Sequence, residues 1–453
     1  MRKTVSFTLA SLLMTALIGC SASPSAPAST GTGGAAGTAG TPQPAQTAQA
    51  DTSKSKDPIK LRVAWWGGQS RHDYTLKMID MYEKAHPNVK IEAEYAAFDD
   101  YWKKLVPQAA ANDLPDVIQM SVAYISQFGD RGQLEDLGPY LQKGTIDKSS
   151  ISDAYLKVGQ YNGKQYQLTL GVNALAVVYD PQMIKDAGAT LPSNNWTWDD
   201  LEAIGAKLKA KGKLVAANID DRNFLSFYLR SNGGNLFRPD GTALGYTDTK
   251  LYTDYYTRLQ RMYNNGYLLA LDKQAQKKGV PEDDELVLGN AGTTFTWSNL
   301  FAADSAIAKR PLEIAPPPGP NIDKGLFLQS SQGLSVSKNS KNKEEAINFV
   351  NFMINDIEAN KIMKGERGVP ISTKVQDAIK PLLSQADQKI VDYVAWAGTQ
   401  TKSDNPIDPV GAVEVSKLLT DTSQQILYNK ISPADASAKF FKDSNAILAK
   451  NKK

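Results

Sequence analysis

The stretch from Leu61 to His72 constrains the fold most, because it holds a strand, a tight turn and a helix start in one run. Residues 61–66 show the two-residue alternation of a strand, and Gly67-Gly68 then breaks it. From Tyr74 to Ala85 the apolar spacing is that of a helix, which Pro87 ends. In open α/β sheets ligands bind where strands end and helices begin, so this stretch predicts one wall of a binding site.

Two tryptophans end this first predicted strand, and we expect them to have different roles. Trp65 has the parity of Leu61 and Val63, which predicts a position in the core. Trp66 points to the other face, beside the glycine turn and the unpaired backbone N–H groups of a helix start. We therefore expect Trp66 to be available for stacking on a ligand.

Strands continue to alternate with helices beyond this point. Val89–Tyr95 alternates as a second strand, and Asp99–Asn112 has helical spacing, with Pro107 inside it expected to kink it or start a new turn. Asp116–Met120 predicts a short buried strand. This alternation predicts an α/β fold with a mainly parallel sheet.

Two long runs are the strongest strand signals in the chain. Leu168–Asp180 is the longest, with Gly171 interrupting it, and we expect it to pass from one lobe into another. Leu326–Ser337 is the second, and it is expected to cross back.

A capping signal lies between these two runs. Thr197 is predicted to be the N-cap of a helix, and the tryptophans on either side, Trp196 and Trp198, are expected to pack. From Glu344 onward the spacing is nearly all helical.

The beginning of the chain predicts export and a lipid anchor. Arg2 and Lys3 precede an apolar run, so residues 1–19 read as a signal peptide that ends before Cys20. Cys20 is the only cysteine, which excludes a disulfide within one molecule and leaves the thiol where lipidation would use it. Residues 20–57 are mostly small and polar, as is typical of a flexible tether, so we expect an extracellular protein anchored to the cell membrane.

Composition excludes several classes of function. Lysine and arginine number 51 against 48 aspartates and glutamates, and the two signs are interspersed, so no nucleic-acid-binding surface is indicated. With only two histidines and no cluster at ligand spacing, we expect no metal site and no cofactor.

Short motifs follow one another in order along the chain, and the set is more specific than any member. In order they are Leu17-Ile18-Gly19-Cys20, Trp65-Trp66-Gly67-Gly68, Leu114-Pro115-Asp116-Val117, the Asn-Trp-Thr-Trp-Asp-Asp run at 195–200, Ser337-Lys338-Asn339, Glu344-Glu345-Ala346 and Glu366-Arg367-Gly368-Val369-Pro370. With this set, residues 58–453 resemble family 1 extracellular solute-binding proteins, the sugar-binding components of ABC importers of the maltose-binding-protein type.

The resemblance implies a fold, a partner and a ligand class. It implies a two-lobed periplasmic-binding-protein-like fold of type II, with three crossover segments and the ligand in the cleft between the lobes. Lobe 1 would comprise 58–171 and 337–375, and lobe 2 172–336 and 376–453. It further implies a monomer that captures an oligosaccharide by hinge closure and delivers it to ABC transporter permease subunits. Trp65-Trp66-Gly67-Gly68 followed by Arg71 and His72 is similar to the subgroup that takes up plant-cell-wall oligosaccharides, including uronate-bearing ones.

Within that fold we expect flat rings to stack on sugar faces and polar side chains to bind hydroxyls. Trp66 and Trp297 are the preferred stacking residues, and for Trp396 a core role is equally open. The candidate ligand-binding residues are Trp66, Gln69, Arg71, Tyr101, Asp116, Gln119, Asn173, Trp297, Arg367 and Trp396.

Three of the polar candidates have alternatives. Arg71 fits a carboxylate in a fork geometry, or a salt bridge to a surface acid. Arg367 fits a ligand contact or a helix cap, with the cap slightly favoured, and Asp116 fits a ligand contact or a cap. His72 is expected to make a structural hydrogen bond at the helix end.

The competing class is a secreted carbohydrate-active enzyme. A glycoside hydrolase needs two carboxylates across a cleft, and Asp99-Asp100, Asp220-Asp221 and Asp283-Asp284 are acidic pairs. Each lies at a predicted helix start, where the dipole favours acids, so we expect no catalytic residues. A polysaccharide lyase based on Arg71 and His72, or a protein that binds a peptide or a metal, are further alternatives.

Overall fold

The computed structural model describes residues 58–217, 219, 221–277, 280–402 and 408–451. Its strands are β1 (Ile59–Trp66), β2 (Val89–Ala96), β3 (Val117–Met120), β4 (Gln160–Tyr161), β5 (Lys164–Gln165), β6 (Leu168–Tyr179), β7 (Thr293–Trp297), β8 (Glu313–Ala315) and β9 (Leu328–Val336). The predicted signal peptide and tether, with Cys20, lie outside the described residues.

Helices fill the intervals between the strands and make up most of the second half of the chain. They are α1 (Gln69–Ala85), α2 (Phe98–Ala110), α3 (Val122–Asp130), α4 (Gly138–Lys143), α5 (Asp153–Lys157), α6 (Pro181–Asp186), α7 (Trp198–Lys209), α8 (Asp221–Ser231), α9 (Lys250–Asn264), α10 (Leu271–Gln274), α11 (Phe301–Ala308), α12 (Ile322–Gly325), α13 (Lys343–Asn355), α14 (Ile357–Met363), α15 (Thr373–Ile379), α16 (Gln385–Gln400), α17 (Ala412–Leu427) and α18 (Pro433–Leu448). None of the helices described is long and apolar enough to cross a bilayer.

One mixed sheet runs through the molecule in the order β2-β1-β3-β9-β6-β7, with β8 also paired to β6. β1 pairs with β2 and β3 in parallel, as the strand–helix alternation predicts. The pairs of β9 with β3, and of β6 with β9, β7 and β8, are antiparallel. The prediction of a mainly parallel sheet is therefore right for the first three strands and wrong for the rest, where long strands return across the molecule.

β6 changes partners along its length, as a strand shared by two lobes must. Its first half pairs with β9, and its second half, from Leu175 to Tyr179, pairs with β7. The register shifts at Gly171, where a Cβ would clash with the Arg367 carbonyl oxygen. A third segment joins here, since the Val172 N–H donates to the Val369 carbonyl (2.9 Å). β6, β9 and the segment around Val369 are thus brought together at one place.

The helices are distributed over the two halves of this sheet. α13, α14 and α15 pack with α1 beside β1–β3, and we call this side of the sheet lobe 1. α16 packs on β6, β8 and α11, while α8, α9, α17 and α18 pack together, and we use lobe 2 for that side. The two-lobed architecture implied by the resemblance is confirmed; the boundaries after residues 171, 336 and 375 stay a prediction.

Local sequence signals account for several helix boundaries. α1 ends at Ala85, before Pro87, and α2 continues through Pro107 to Ala110. Thr197 caps α7 through a capping box with Asp200, as predicted.

Candidate functional site

A cavity of about 480 Å³ opens where the three connecting segments meet, which is within the range of small-molecule sites. Its walls include Arg71 from the start of α1, Asn173 on β6, Trp297 at the end of β7, Gln332 on β9 and Glu366. A hollow of about 660 Å³ near Gln182 and Lys211 is larger, but no aromatic ring lines it. We take the first cavity as the cleft, because it combines an aromatic ring, polar side chains and the connecting segments.

Arg71 forms the charged part of the lobe 1 wall. Its Nη1 donates to Gln332 Oε1 (2.8 Å), and Nη2 lies 3.6 Å from the Glu366 carboxylate. Its Nε is buried without a hydrogen-bond partner in the described part of the chain. Arg71 therefore makes one of the two contacts predicted for it, an ion pair with a partly exposed acid.

Behind Arg71, a buried polar network ties the lobe 1 wall to β9. Gln119 Nε2 donates to Gln332 Oε1 (2.9 Å), so the Gln332 oxygen accepts from Gln119 and Arg71 together. Arg367, only 1% exposed, donates to Gln119 Oε1, to Tyr74 Oη (2.9 Å) and to Thr75 Oγ1 (2.8 Å). These contacts make the network a rigid support, since each buried donor named here has an acceptor.

This network corrects two predicted roles. The Arg367 guanidinium is not a helix cap, because its donors are bound to side chains of α1 and β3. Arg367 also lines the cavity, so its contact with a ligand stays a prediction. Gln119 is completely buried, so it holds Gln332 and Arg367 instead of a sugar hydroxyl. Burial lowers the pKa of Arg367, and burial is also the main cause that raises the pKa of Tyr74 to about 12.

The opposite wall, from lobe 2 and β6, carries the aromatic surface. The half-buried Trp297 lies edge-on to Phe327, with ring centroids 5.9 Å apart. Asn173, which also lines the cavity, has a buried Oδ1 that no described group donates to. Both residues line one cavity, so the Trp297 ring can stack on the apolar face of a sugar while the Asn173 amide binds a hydroxyl.

Trp66 does not line this cavity. It is 8% exposed and packs against Phe98, Tyr101 and Trp102 at centroid distances of 5.3–5.7 Å. A stacking role for Trp66 is therefore corrected to a packing role: α2 folds over the indole, and neither face is open in this conformation.

Trp65 and His72 lie where the sequence predicts. They are hydrogen-bonded to each other, which sequence reasoning missed. Trp65 is buried in the main core, as its parity predicts, and its Nε1 donates to His72 Nδ1 (3.1 Å). His72 also stacks near Tyr95, with ring centroids 4.3 Å apart. Burial lowers the pKa of His72, which suits a neutral ring that accepts from the indole.

None of the remaining candidates is among the residues that line this cavity. Asp116 precedes β3 at the amino end of the strand, and its carboxylate accepts from Arg62 N (2.8 Å) and Ser340 Oγ (2.6 Å). Tyr101 is buried and donates to the Gln119 carbonyl (2.7 Å). Gln69 bonds to Asp73 one helical turn away, and Trp396 is half-buried against Tyr393. The structure therefore gives Asp116 and Tyr101 structural positions, which corrects their predicted ligand contacts. Gln69 is exposed and Trp396 half-buried, so their ligand contacts stay predictions.

Sequence reasoning missed the polar side chains of β9. Gln329, Ser330, Ser331 and Gln332 all line the cleft, in the middle of a strand whose ends are apolar. Burying four consecutive polar side chains in a strand costs free energy unless they form hydrogen bonds. This polar run within Leu326–Ser337 was the sequence feature that could have predicted a binding surface on β9.

A smaller cavity of about 80 Å³ adjoins the cleft, since Gln329 and Ser330 line both. Arg222 and Arg230 of α8 form part of its wall, together with Phe327. This second basic region lies on lobe 2, opposite the lobe that carries Arg71.

The acidic pairs considered for hydrolysis are used elsewhere. Asp100 bonds Lys103 (3.0 Å), Asp221 accepts from Ser423 (2.6 Å), and Asp284 accepts from Thr294 (2.8 Å). Asp220 and the Asp99 side chain lie outside what is described. Over the described ranges, no group of three or more His, Cys, Asp or Glu residues is placed to hold a metal ion.

Trp196 and Trp198 are buried in the core of lobe 2, which confirms the packing role predicted for them. Trp196 Nε1 donates to the Pro316 carbonyl (2.8 Å), so its polar atom is also used internally.

A two-lobed α/β chain with a polar, aromatic-lined cleft at its connecting segments has the architecture of a solute-binding protein. The profile of the family described as bacterial extracellular solute-binding protein matches residues 68–359. The chain belongs to this family, which confirms the resemblance found in the sequence. The family is defined by binding of solutes outside the cytoplasm.

Solved structures agree with this assignment. A family 1 extracellular solute-binding protein from Alicyclobacillus acidocaldarius is 27% identical, covers 87% of this chain and 100% of its own, and has a TM-score of 0.76. A periplasmic oligogalacturonide-binding protein from Yersinia enterocolitica is 23% identical, with 87% and 100% coverage and a TM-score of 0.75. An ABC substrate-binding protein from Listeria monocytogenes, solved with cycloalternan, is 22% identical, with 86% and 99% coverage and a TM-score of 0.68.

Proposed function

We propose that this protein captures a uronate-bearing oligosaccharide in its cleft by hinge closure and delivers it to the permease subunits of an ABC importer. We further propose that it acts as a monomer, held at the extracellular face of the cell membrane by a lipid on Cys20. The support for the anchor is the apolar run and small-residue context before the only cysteine.

The observation that carries the sugar proposal is the pairing of Trp297 with Arg71 across one cavity. A sugar ring stacked on Trp297 buries roughly 100 Å² of apolar surface, which is worth about 2.5 kcal/mol at ~25 cal/mol per Å². Asn173 Oδ1 adds an acceptor for a hydroxyl. A second ring and several hydroxyl bonds then bring the affinity into the micromolar range after the ordering costs of binding.

Arg71 supports an acidic sugar over a neutral one. A guanidinium binds a carboxylate through two parallel N–H donors, and Arg71 lines the cavity with its buried Nε lacking a partner among the described residues. Its present partner, Glu366, is 3.6 Å away with a partly exposed side chain. A ligand carboxylate can therefore compete with Glu366 for Arg71 without stripping a buried ion pair.

Calorimetric titration with digalacturonate and with neutral galactobiose tests this proposal. Wild-type protein is expected to prefer the acidic sugar, and Arg71→Gln is expected to weaken digalacturonate at least ten-fold while changing galactobiose little. Arg131→Gln, an exposed arginine on lobe 1, is the matched control and should bind like wild type. Equal losses on both sugars in Arg71→Gln would remove the uronate assignment, and no binding of either would remove the sugar assignment.

The enzyme alternative is tested on the same samples. A binding protein returns the sugar unchanged and melts at a higher temperature in its presence. Shortened or unsaturated products on chromatography would favour a hydrolase or a lyase.

A further inference from the structure

We propose that the small cavity walled by Arg222 and Arg230 is a second carboxylate subsite, so that the cleft selects ligands carrying two acid groups. This inference rests on the proposed function and names the substrate class more narrowly: a short uronide with at least two uronate rings.

The two cavities are neighbours that share lining residues, and we place one ligand across both. Gln329 and Ser330 on β9 line both, so a chain bound in the larger cavity continues into the smaller one across these two residues. The smaller cavity also touches Val122 and Val158 of lobe 1, although its arginines come from α8 of lobe 2. It therefore lies between the lobes, as a ligand subsite must.

Aromatic packing connects the arginines to the stacking residue. The Arg230 guanidinium carbon lies 4.9 Å from the centroid of Phe327, and Phe327 packs edge-on against Trp297 at 5.9 Å. Arg230 is only 4% exposed, so the ring and the surrounding helix hold its guanidinium in a set orientation. A cation held in this way loses little freedom when it binds an anion, which favours recognition of a carboxylate.

Arg222 supplies the accessible cation of the pair. Its Nη2 is paired with Asp408, and its Nε is buried with no partner among the residues the structure describes. Since Asp408 is partly exposed, the Arg222 pair resembles that of Arg71 with Glu366: a basic group held by an acid that a ligand can displace.

The size of the cavity limits what can enter it. About 80 Å³ has room for several water-sized groups but is far smaller than the 480 Å³ of the main cavity. A carboxylate projecting from a sugar fits this space better than a whole ring does. We assign the ring positions to the main cavity and the second acid group to the arginine pair.

The arrangement also gives the ligand a mechanical role. One carboxylate would bind Arg71 on lobe 1 and the other would bind α8 on lobe 2, so a dianionic ligand bridges the lobes. A monouronate can satisfy only one side and would favour the closed state less.

The test uses galacturonate, digalacturonate and fully methyl-esterified digalacturonate in calorimetric titrations. Arg222→Gln is expected to weaken digalacturonate at least ten-fold and leave galacturonate within two-fold, while Arg222→Lys keeps part of the affinity. Asp408→Asn distinguishes the role of the Arg222 charge from that of its ion pair, because the variant removes the ion pair and keeps the Arg222 cation. It is expected to bind digalacturonate at least as tightly as wild type.

Three results would overturn the inference. Digalacturonate affinity unchanged in Arg222→Gln would show that the cavity holds no ligand acid. An equal loss in Asp408→Asn would show that the ion pair supports the fold instead. Wild-type preference for the methyl ester, with binding intact, would reject the two-acid ligand and leave the sugar-binding function standing, whereas no binding of any probe would reject both.

Discussion

Trp66 and Trp297 both end a strand of the same sheet, yet only one of them lies at the cleft. Trp66 ends β1 and is 8% exposed among the aromatic rings of α2. Trp297 ends β7, is half-buried, and lines the main cavity. The strand end alone does not decide whether an indole is available to a ligand.

What differs is whether a helix packs over the ring. After β2, α2 brings Phe98, Tyr101 and Trp102 over the Trp66 ring. After β7, a short 3-10 turn at Ser298–Leu300 leads into α11, and Trp297 keeps its position on the cleft wall. The end of β1 in lobe 1 is thus covered by aromatic packing, whereas the end of β7 in lobe 2 lines the cavity.

The largest expected effect comes from removing the packed indole. Trp66→Ala is expected to destabilise the fold by roughly 3–5 kcal/mol, because it empties a buried aromatic cluster. Urea unfolding at constant pH measures this loss. Phe98→Ala, which truncates the 44% exposed ring of the same cluster, is the control and should cost clearly less. A stable Trp66→Ala protein with lost sugar affinity would reverse the comparison.

The second largest effect tests the network behind the lobe 1 wall. Arg367→Met should cost about 2–4 kcal/mol, because it leaves the buried Gln119 and Thr75 side chains without a donor. Lys364→Ala, in the same segment but exposed, should change the free energy of unfolding by less than about 0.5 kcal/mol. Similar losses in both variants would mean that the segment, and not the buried guanidinium, is what stabilises this wall.

The third effect is a pH dependence of stability that arises in lobe 2. Asp304 lies on α11, the helix that follows Trp297 in the chain, where burial and then the neighbouring Asp284 raise its pKa to about 7. Because the folded state holds this proton more tightly than the unfolded chain, stability should fall as pH rises from about 4 to 7 and stay level above. Asp304→Asn should remove that fall, so that it is more stable than wild type at pH 8 and little changed at pH 4.

Thermal unfolding across that pH range measures the effect of Asp304→Asn. Asp272→Asn, an exposed acid on lobe 2, is the control and should follow the wild-type profile. A wild-type profile that is flat between pH 4 and 7 would show that Asp304 stays ionised in the folded protein.

The smallest expected free-energy change is at the end of β7. Trp297→Ala should weaken binding of digalacturonate about ten-fold, close to 1.4 kcal/mol, with only a minor change in unfolding. Titration calorimetry and urea unfolding on the same preparation give both values. If the loss appeared in stability and not in affinity, Trp297 would belong with Trp66 as a packing residue.

Part of the site could be predicted from the sequence and part could not. Arg71, Asn173 and Trp297 line the cleft as expected, because strand ends and the helix start are marked by local periodicity. Gln119 was predicted as a contact but is a buried support, joined to Arg367 across 248 positions of the chain. No local pattern contains a contact of that range, and the same holds for the arginines of α8.

The sequence alone determined the strand–helix alternation of β1 to β3, the long strands β6 and β9, and the Thr197 cap, because period, turn residues and capping act within a few residues. Only the tertiary structure decided which tryptophan is covered, which arginine is buried and where the two basic cavities meet. These outcomes depend on burial and on partners far apart in the chain, and burial is a property of the assembled fold.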